Sequence, residues 1–338
     1  MFTMLWTLTD TNKSHMMSIP NIRTNIPFDL PARGSWPVSR HVFDEESADA
    51  IRMALAAERP LLVRGEPGTG KSQLARAAAE ELRRLFVAEV VHSRTEPQDL
   101  QWRFDAIARL GEAQARGLTH RDNPETVQDL LDPRRYLNPG VLWWVFDWGS
   151  ALEQHENYSR HKLYKPAQPD GWSSDKGCVL LIDEIDKADS DVPNSLLETL
   201  GNRGFSVPWI EKTIGQNPDI PTPLVIITTN EERELPAAFV RRCLVLNLRL
   251  PEKLLDWLCE RGHIHFPDAN ECTDRVLDKA AQQLIKDREQ AQQQGVTPPG
   301  QAEYIDLLKA ITTLAKDEQK QLELLERLSH FALKKYPQ

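Results

Sequence analysis

Long apolar runs, clustered basic residues and paired cysteines are all missing from this sequence. Nowhere do about 18 apolar residues run together, so no membrane-spanning helix is expected. Residues 1–10 show no basic stretch leading into a long apolar one; export is therefore not expected, and a cytoplasmic location is. Lys and Arg number 41 against 50 Asp and Glu, for a formal net charge of −9. With no run of about five or six basic residues, the chain lacks the footprint of a duplex-DNA binder, and nucleic acid is not an expected partner. A basic groove made by folding or assembly stays open. The four cysteines, at 178, 243, 259 and 272, form no CxxC pair, and two sit in strand-like apolar runs. Reduced, buried thiols are the expectation.

What is present is more specific. At 338 residues the chain is long enough for two cores. Its organising stretch is Gly65-Glu66-Pro67-Gly68-Thr69-Gly70-Lys71-Ser72, which follows the apolar run Leu61-Leu62-Val63 and opens into an alanine-rich stretch. This is G-x-x-x-x-G-K-S between an expected strand and an expected helix. Glycines let backbone N–H groups turn inward around a phosphate. Lys71 places an ammonium on the β and γ oxygens of a nucleotide, and Ser72 offers a hydroxyl to Mg²⁺. The helix N-terminus adds its dipole and its unpaired N–H groups to the cradle.

Around this stretch the chain divides by composition. Residues 1 to about 40 hold Pro20, Pro27, Pro31 and Pro37, spaced too closely for a helix or a central strand, and read as an extended arm. Its Phe28, Leu30 and Trp36 either dock on a neighbouring surface or belong to a disordered tail. Residues 44–57 have a helical rhythm, and 86–91 read as a second parallel strand. Then 85 residues separate His92 from Cys178, far more than a plain crossover needs. Within them, 99–116 reads as a helix with Leu100, Phe104, Ile107 and Leu110 on one face, and 117–125 and 155–175 read as loops. The aromatic run 139–146 is either a core strand or an exposed contact patch, with the core strand favoured because large aromatics are costly to leave in water.

Cys178-Val179-Leu180-Leu181-Ile182 is a fully buried strand by pattern, and it ends in Asp183 and Glu184. Carboxylates at a strand's C-terminal end lie where open α/β sheets bind ligands. Beside a phosphate loop, Asp183 reads as the acid that orders the Mg²⁺ shell and Glu184 as the base that polarises water for attack on the γ-phosphate. Asp186 and Asp189, just beyond, read as a capping or surface set. A short helix over 190–200 and a hairpin over 205–214 precede another buried strand, 224–229, ending at Asn230. That amide either orients the lytic water or merely caps the strand. A short helix over 235–243 ends in Arg241 and Arg242, either surface charges or side chains projecting to a neighbouring subunit, and leads into a strand over 244–248. From Pro251 onward the pattern is helical only: 253–261, 273–294, 301–316 and 317–335. His263 and His265 fall in a linker and read as surface histidines, since no third zinc ligand is in reach.

This order of parts resembles the AAA+ ATPases over about residues 41–335, and the 95–177 passage and the 204–214 hairpin look most like the MoxR branch. The resemblance implies an α/β fold: a three-layer αβα P-loop ATPase domain with a parallel sheet (41–250, insert about 95–177), after an N-terminal arm (1–40) and before a small all-α lid (251–338). It implies ATP and Mg²⁺ as cofactors, Gly65 to Ser72 as Walker A, Asp183 and Glu184 as Walker B, and Asn230 as sensor 1. Arg242 is implied as the arginine finger, with Arg241 in reserve. It implies a ring, a hexamer by family habit, that hydrolyses ATP to remodel a partner such as a von Willebrand factor A domain protein or a metalloenzyme awaiting activation. Gly295-Val296-Thr297-Pro298-Pro299-Gly300-Gln301 departs from the family pattern by lacking the sensor 2 arginine, so the lid responds by packing alone or another arginine substitutes. The competing expectation is a nucleotide-gated scaffold with little turnover.

Overall fold

The computed structural model describes residues 20–117, 129 and 131–334. The arm's first 19 residues, most of the loop expected at 117–125 and the last four residues lie outside that range. In chain order the strands and helices begin with β1 (Phe28–Leu30), β2 (Ser39–His41), α1 (Glu45–Ala57), β3 (Leu61–Gly65), α2 (Lys71–Glu81) and β4 (Leu85–Val90). The long passage holds β5 (Trp102–Phe104), α3 (Ala106–Gly117), β6 (Leu137–Pro139), α4 (Val141–Phe146) and α5 (Trp148–Glu153). Next come β7 (Cys178–Asp183), α6 (Asp191–Asn202), β8 (Gly204–Val207), β9 (Lys212–Gly215), β10 (Leu224–Thr229), α7 (Ala237–Arg242) and β11 (Leu244–Leu248). Four helices follow: α8 (Leu254–His265), α9 (Asp274–Gln293), α10 (Gln301–Leu314) and α11 (Glu318–Leu333).

The central sheet is parallel, in the order β11-β3-β10-β7-β4. Strand residues alternate between its two faces, as the pleat requires. Leu61, Val63, Val179, Leu181, Leu224 and Ile226 pack under α1, α2 and the arm. Leu62, Leu180, Ile182, Val225 and Ile227 pack on the other face with α4, α5, α6 and the β8–β9 hairpin. Both faces are covered, so these strands carry near-continuous apolar runs. α1 starts where Asp44 accepts from the Ser47 N–H at 2.7 Å, a cap worth about 1 kcal/mol. A third apolar cluster, with Leu277, Ala280, Leu284, Tyr304 and Leu308 at its centre, makes the C-terminal helices a bundle of their own.

The structure decides several expectations, some for and some against. The described part of the arm docks: it forms a β1–β2 hairpin, buries Ile22 and Leu30, and is tied down by Arg23–Glu81 at 2.6 Å and Arg33–Glu80 at 2.8 Å. The aromatic run is core, but its central part is the helix α4 rather than a strand, and Trp143 and Trp144 are fully enclosed. A six-residue run buried on all sides has no period by which to tell helix from strand. The helix expected from residue 99 starts only at Ala106, after a turn and β5, and Ile107 and Leu110 on it are exposed. His263 and His265 lie in the last turn of α8 rather than in a linker. All four cysteines are free; Cys178, Cys243 and Cys272 are buried, and burial pushes their thiols up to about 12. No helix among the described residues is long and apolar enough to cross a membrane.

Candidate nucleotide site

The loop Gly65 to Ser72 leaves the C-terminal end of β3 and enters α2. Gly65 lies so close to β11 that a Cβ would meet the Leu248 carbonyl oxygen at 2.6 Å, which excludes any side chain there. Gly70 caps α2 at φ +90°, a conformation L side chains rarely adopt, with open space on its Cβ side. Glycine thus answers a close approach at one end of the loop and a left-handed backbone at the other. Lys71 is 7% exposed, and its ammonium donates to the carbonyls of Gly65 at 2.8 Å and Glu66 at 2.9 Å. Burial pulls its pKa down, while Asp183, Asp186, Glu184 and Glu231 pull the other way.

Across the loop the strand ends form one hydrogen-bonded chain. Ser72 Oγ donates to the Asp183 carboxylate at 2.8 Å, and the Thr228 hydroxyl donates to it from β10. The Glu184 N–H in turn donates to Thr228 Oγ1 at 2.9 Å. Glu184 sits in the left-handed region at φ +59°, strained for a non-glycine residue, and such strain is found where a side chain must be aimed. Its carboxylate accepts from Asn230 Nδ2 at 3.3 Å and pairs with Lys187 at 2.6 Å, which raises the Lys187 pKa. Asp186, expected at the surface or a cap, is instead buried, accepting from the N–H groups of Asn230 at 3.4 Å and Glu232 at 2.9 Å. It pins the loop that presents Asn230.

Ser72 and Asp183 converge two hard oxygen donors within hydrogen-bond reach, which suits a Mg²⁺ ion held by few protein ligands with water and phosphate completing its shell. No cage of three or more His, Cys, Asp or Glu side chains occurs among the described residues. Beside the loop opens a cavity of about 790 Å³, within the usual range for ligand pockets, lined by Trp36, His41, Gly70, Leu248, Trp257 and Ile305 among others. Arm, loop and bundle all contribute walls.

Arg241 and Arg242 are exposed at the end of α7, and Arg59 donates to the carbonyls of Arg241 at 2.7 Å and Arg242 at 3.1 Å, holding the backbone that carries them. The next residues enter β11 with Leu244 opposite Leu61 and Leu248 opposite Gly65. The two arginines therefore precede the N-terminal end of β11, whose first residue lies four strand residues or about 13 Å from the level of the loop. The structure gathers every other expected site residue at the C-terminal end and leaves these two apart. Three contributors escaped the sequence reading: Thr228, an ordinary strand threonine by pattern; Lys187; and Arg288 on α9, which donates to Glu66 at 2.8 Å. None of the three carries a motif.

The profile of the AAA domain, dynein-related subfamily, matches residues 60–243. No curated protein matches the chain. Solved structures similar to it include two point variants of RuvB from Thermotoga maritima, each 15% identical at a TM-score of 0.43, with 84% of this chain covered and 68% or 67% of theirs. A Cytophaga hutchinsonii protein designated a candidate ATPase is 12% identical at a TM-score of 0.38, covering 85% of this chain and 79% of its own.

Proposed function

The chain belongs to the dynein-related subfamily of AAA domains, and from that premise we propose that it is a cytoplasmic ATPase of the MoxR branch that assembles as a ring, a hexamer, and remodels a partner protein. The observation that carries the hydrolytic reading is the bonded chain Ser72–Asp183–Thr228–Glu184–Asn230 standing across from Lys71. Gly65 to Ser72 cradle the phosphates, with Glu66, Pro67 and Thr69 shaping the turn, and Lys71 exchanges its two carbonyl partners for phosphate oxygens. Ser72 and Asp183 would hold Mg²⁺, which when bound neutralises phosphate charge. Glu184 accepts the proton of the attacking water, and Asn230, bonded to the same carboxylate, orients that water. Arg242, with Arg241 in reserve, serves the site of the next subunit. The β8–β9 hairpin ahead of β10 and the long passage before β7 support the MoxR branch, and a von Willebrand factor A domain protein is the partner class that branch implies.

Lys187 favours a second reading. Its 2.6 Å bond occupies the carboxylate that must take a proton, as expected of a nucleotide-gated scaffold with slight turnover. Calorimetry with ATP and a phosphate-release assay separate the two. On the enzyme reading Lys71→Ala loses ATP binding, while Glu184→Gln keeps binding and loses turnover. Wild-type turnover no faster than that of Glu184→Gln supports the scaffold, and unchanged binding by Lys71→Ala removes the nucleotide site altogether.

A further inference from the structure

The helical bundle touches the phosphate loop at three successive loop residues. Arg288 is 7% exposed; it donates through Nη2 to Glu66 Oε2 at 2.8 Å and through Nη1 to the Pro299 carbonyl at 2.7 Å. Gly300 packs against Pro67 closely enough that a Cβ would lie 3.0 Å from the Pro67 carbonyl oxygen. The Ala302 N–H donates to the Gly68 carbonyl at 3.2 Å. A guanidinium withdrawn from water needs its charge and its N–H groups met. Here a loop carboxylate and a bundle carbonyl meet them together, so one side chain joins the turn that opens the loop to the turn that opens α10.

We propose that Arg288 is a positioning residue for the nucleotide site: through Glu66 it makes the shape of the loop and the docking of the bundle a single equilibrium. The proposal rests on the reading of the loop as a nucleotide site. A ligand that reshapes Glu66 to Gly68 loosens or tightens the hold on Pro299 to Ala302, and the bundle moves accordingly. The segment Gly295 to Gln301 supplies no arginine to the loop; Arg288 reaches it from one helix earlier, by way of a loop side chain.

Hydrogen exchange on the full chain, with and without a non-hydrolysable ATP analogue and Mg²⁺, tests this. In the free protein Arg288→Ala should raise exchange in peptides spanning 64–72 and 296–304 together and weaken analogue binding about tenfold. Glu66→Gln, at a half-exposed position that folding tolerates, should reproduce both effects; the double variant should be no worse than either single one, and Arg288→Lys should restore part of each. Unchanged exchange in 64–72 in both single variants, or effects that simply add, overturns the proposal while analogue binding by the wild type keeps the nucleotide reading. A wild type that binds no analogue overturns both.

Discussion

The two ends of the central sheet are built differently. At the C-terminal end, side chains from β7, β10 and α2 find their partners within the chain: Ser72 and Thr228 on Asp183, Asn230 and Lys187 on Glu184. At the N-terminal end, Arg241 and Arg242 stand exposed, with their backbone clamped by Arg59. Parallel strands in register keep the two groups apart, because a rigid sheet cannot fold one end onto the other. On the proposed function, an arginine so placed serves a phosphate held by the next subunit. On the ring proposed above, the sheet itself would set the arginines of one subunit apart from the loop of that same subunit.

The largest expected effect breaks that division directly. Arg242→Ala should lower turnover by about 10³ to 10⁵ with ATP binding kept, and mixing it with Lys71→Ala should restore activity wherever an intact arginine faces an intact loop. Mixed assemblies that stay inactive, with co-assembly shown by gel filtration, would assign the role to Arg241 or to neither. Damage to the platform should look different. Trp144 is fully enclosed, with Trp148 at a ring-centroid distance of 4.8 Å, and Trp144→Ala should cost about 3–5 kcal/mol in denaturant unfolding. Both ends should suffer together, so mixing should rescue nothing.

Within the C-terminal end, Asn230→Ala should lower kcat about 10²-fold with KM nearly unchanged, as measured by steady-state kinetics. A rise in KM alone would make Asn230 a strand cap. A pH-dependent effect belongs to the cavity wall. Burial, with Arg261 and His265 nearby and Asp44 opposing, holds His41 down to about 3, and burial with Arg261 and Arg40 holds His265 down to about 4. Both folded values lie below the ordinary one near 6.5, so the unfolded chain binds the protons the fold refuses. Stability is therefore fully present above about pH 6.5 and falls as pH drops toward 3, by at most about 1.4 kcal/mol per pH unit for each proton. His41→Phe should flatten that fall in melts taken between pH 7 and 4.

The phosphate loop, the D-E strand end and the strand ending at Asn230 were legible in the sequence because each joins a backbone pattern to a chemical one: a buried apolar run that stops abruptly at glycine or at polar groups. α4 was not, since a short run buried on all sides shows no period. Nor was the inward turn of Asp186, whose partners are N–H groups forty-four and forty-six residues later in the chain. Arg288 reads as one charge among many on an amphipathic helix, and its partner Glu66 lies 222 residues away. Local spacing thus determined by itself the sheet, the cradle and the residue types at the strand ends. Which carboxylate is held by which hydroxyl, which arginine is buried and which is left exposed were decided only by tertiary packing, because partners brought together from opposite ends of a chain leave no periodic trace in it.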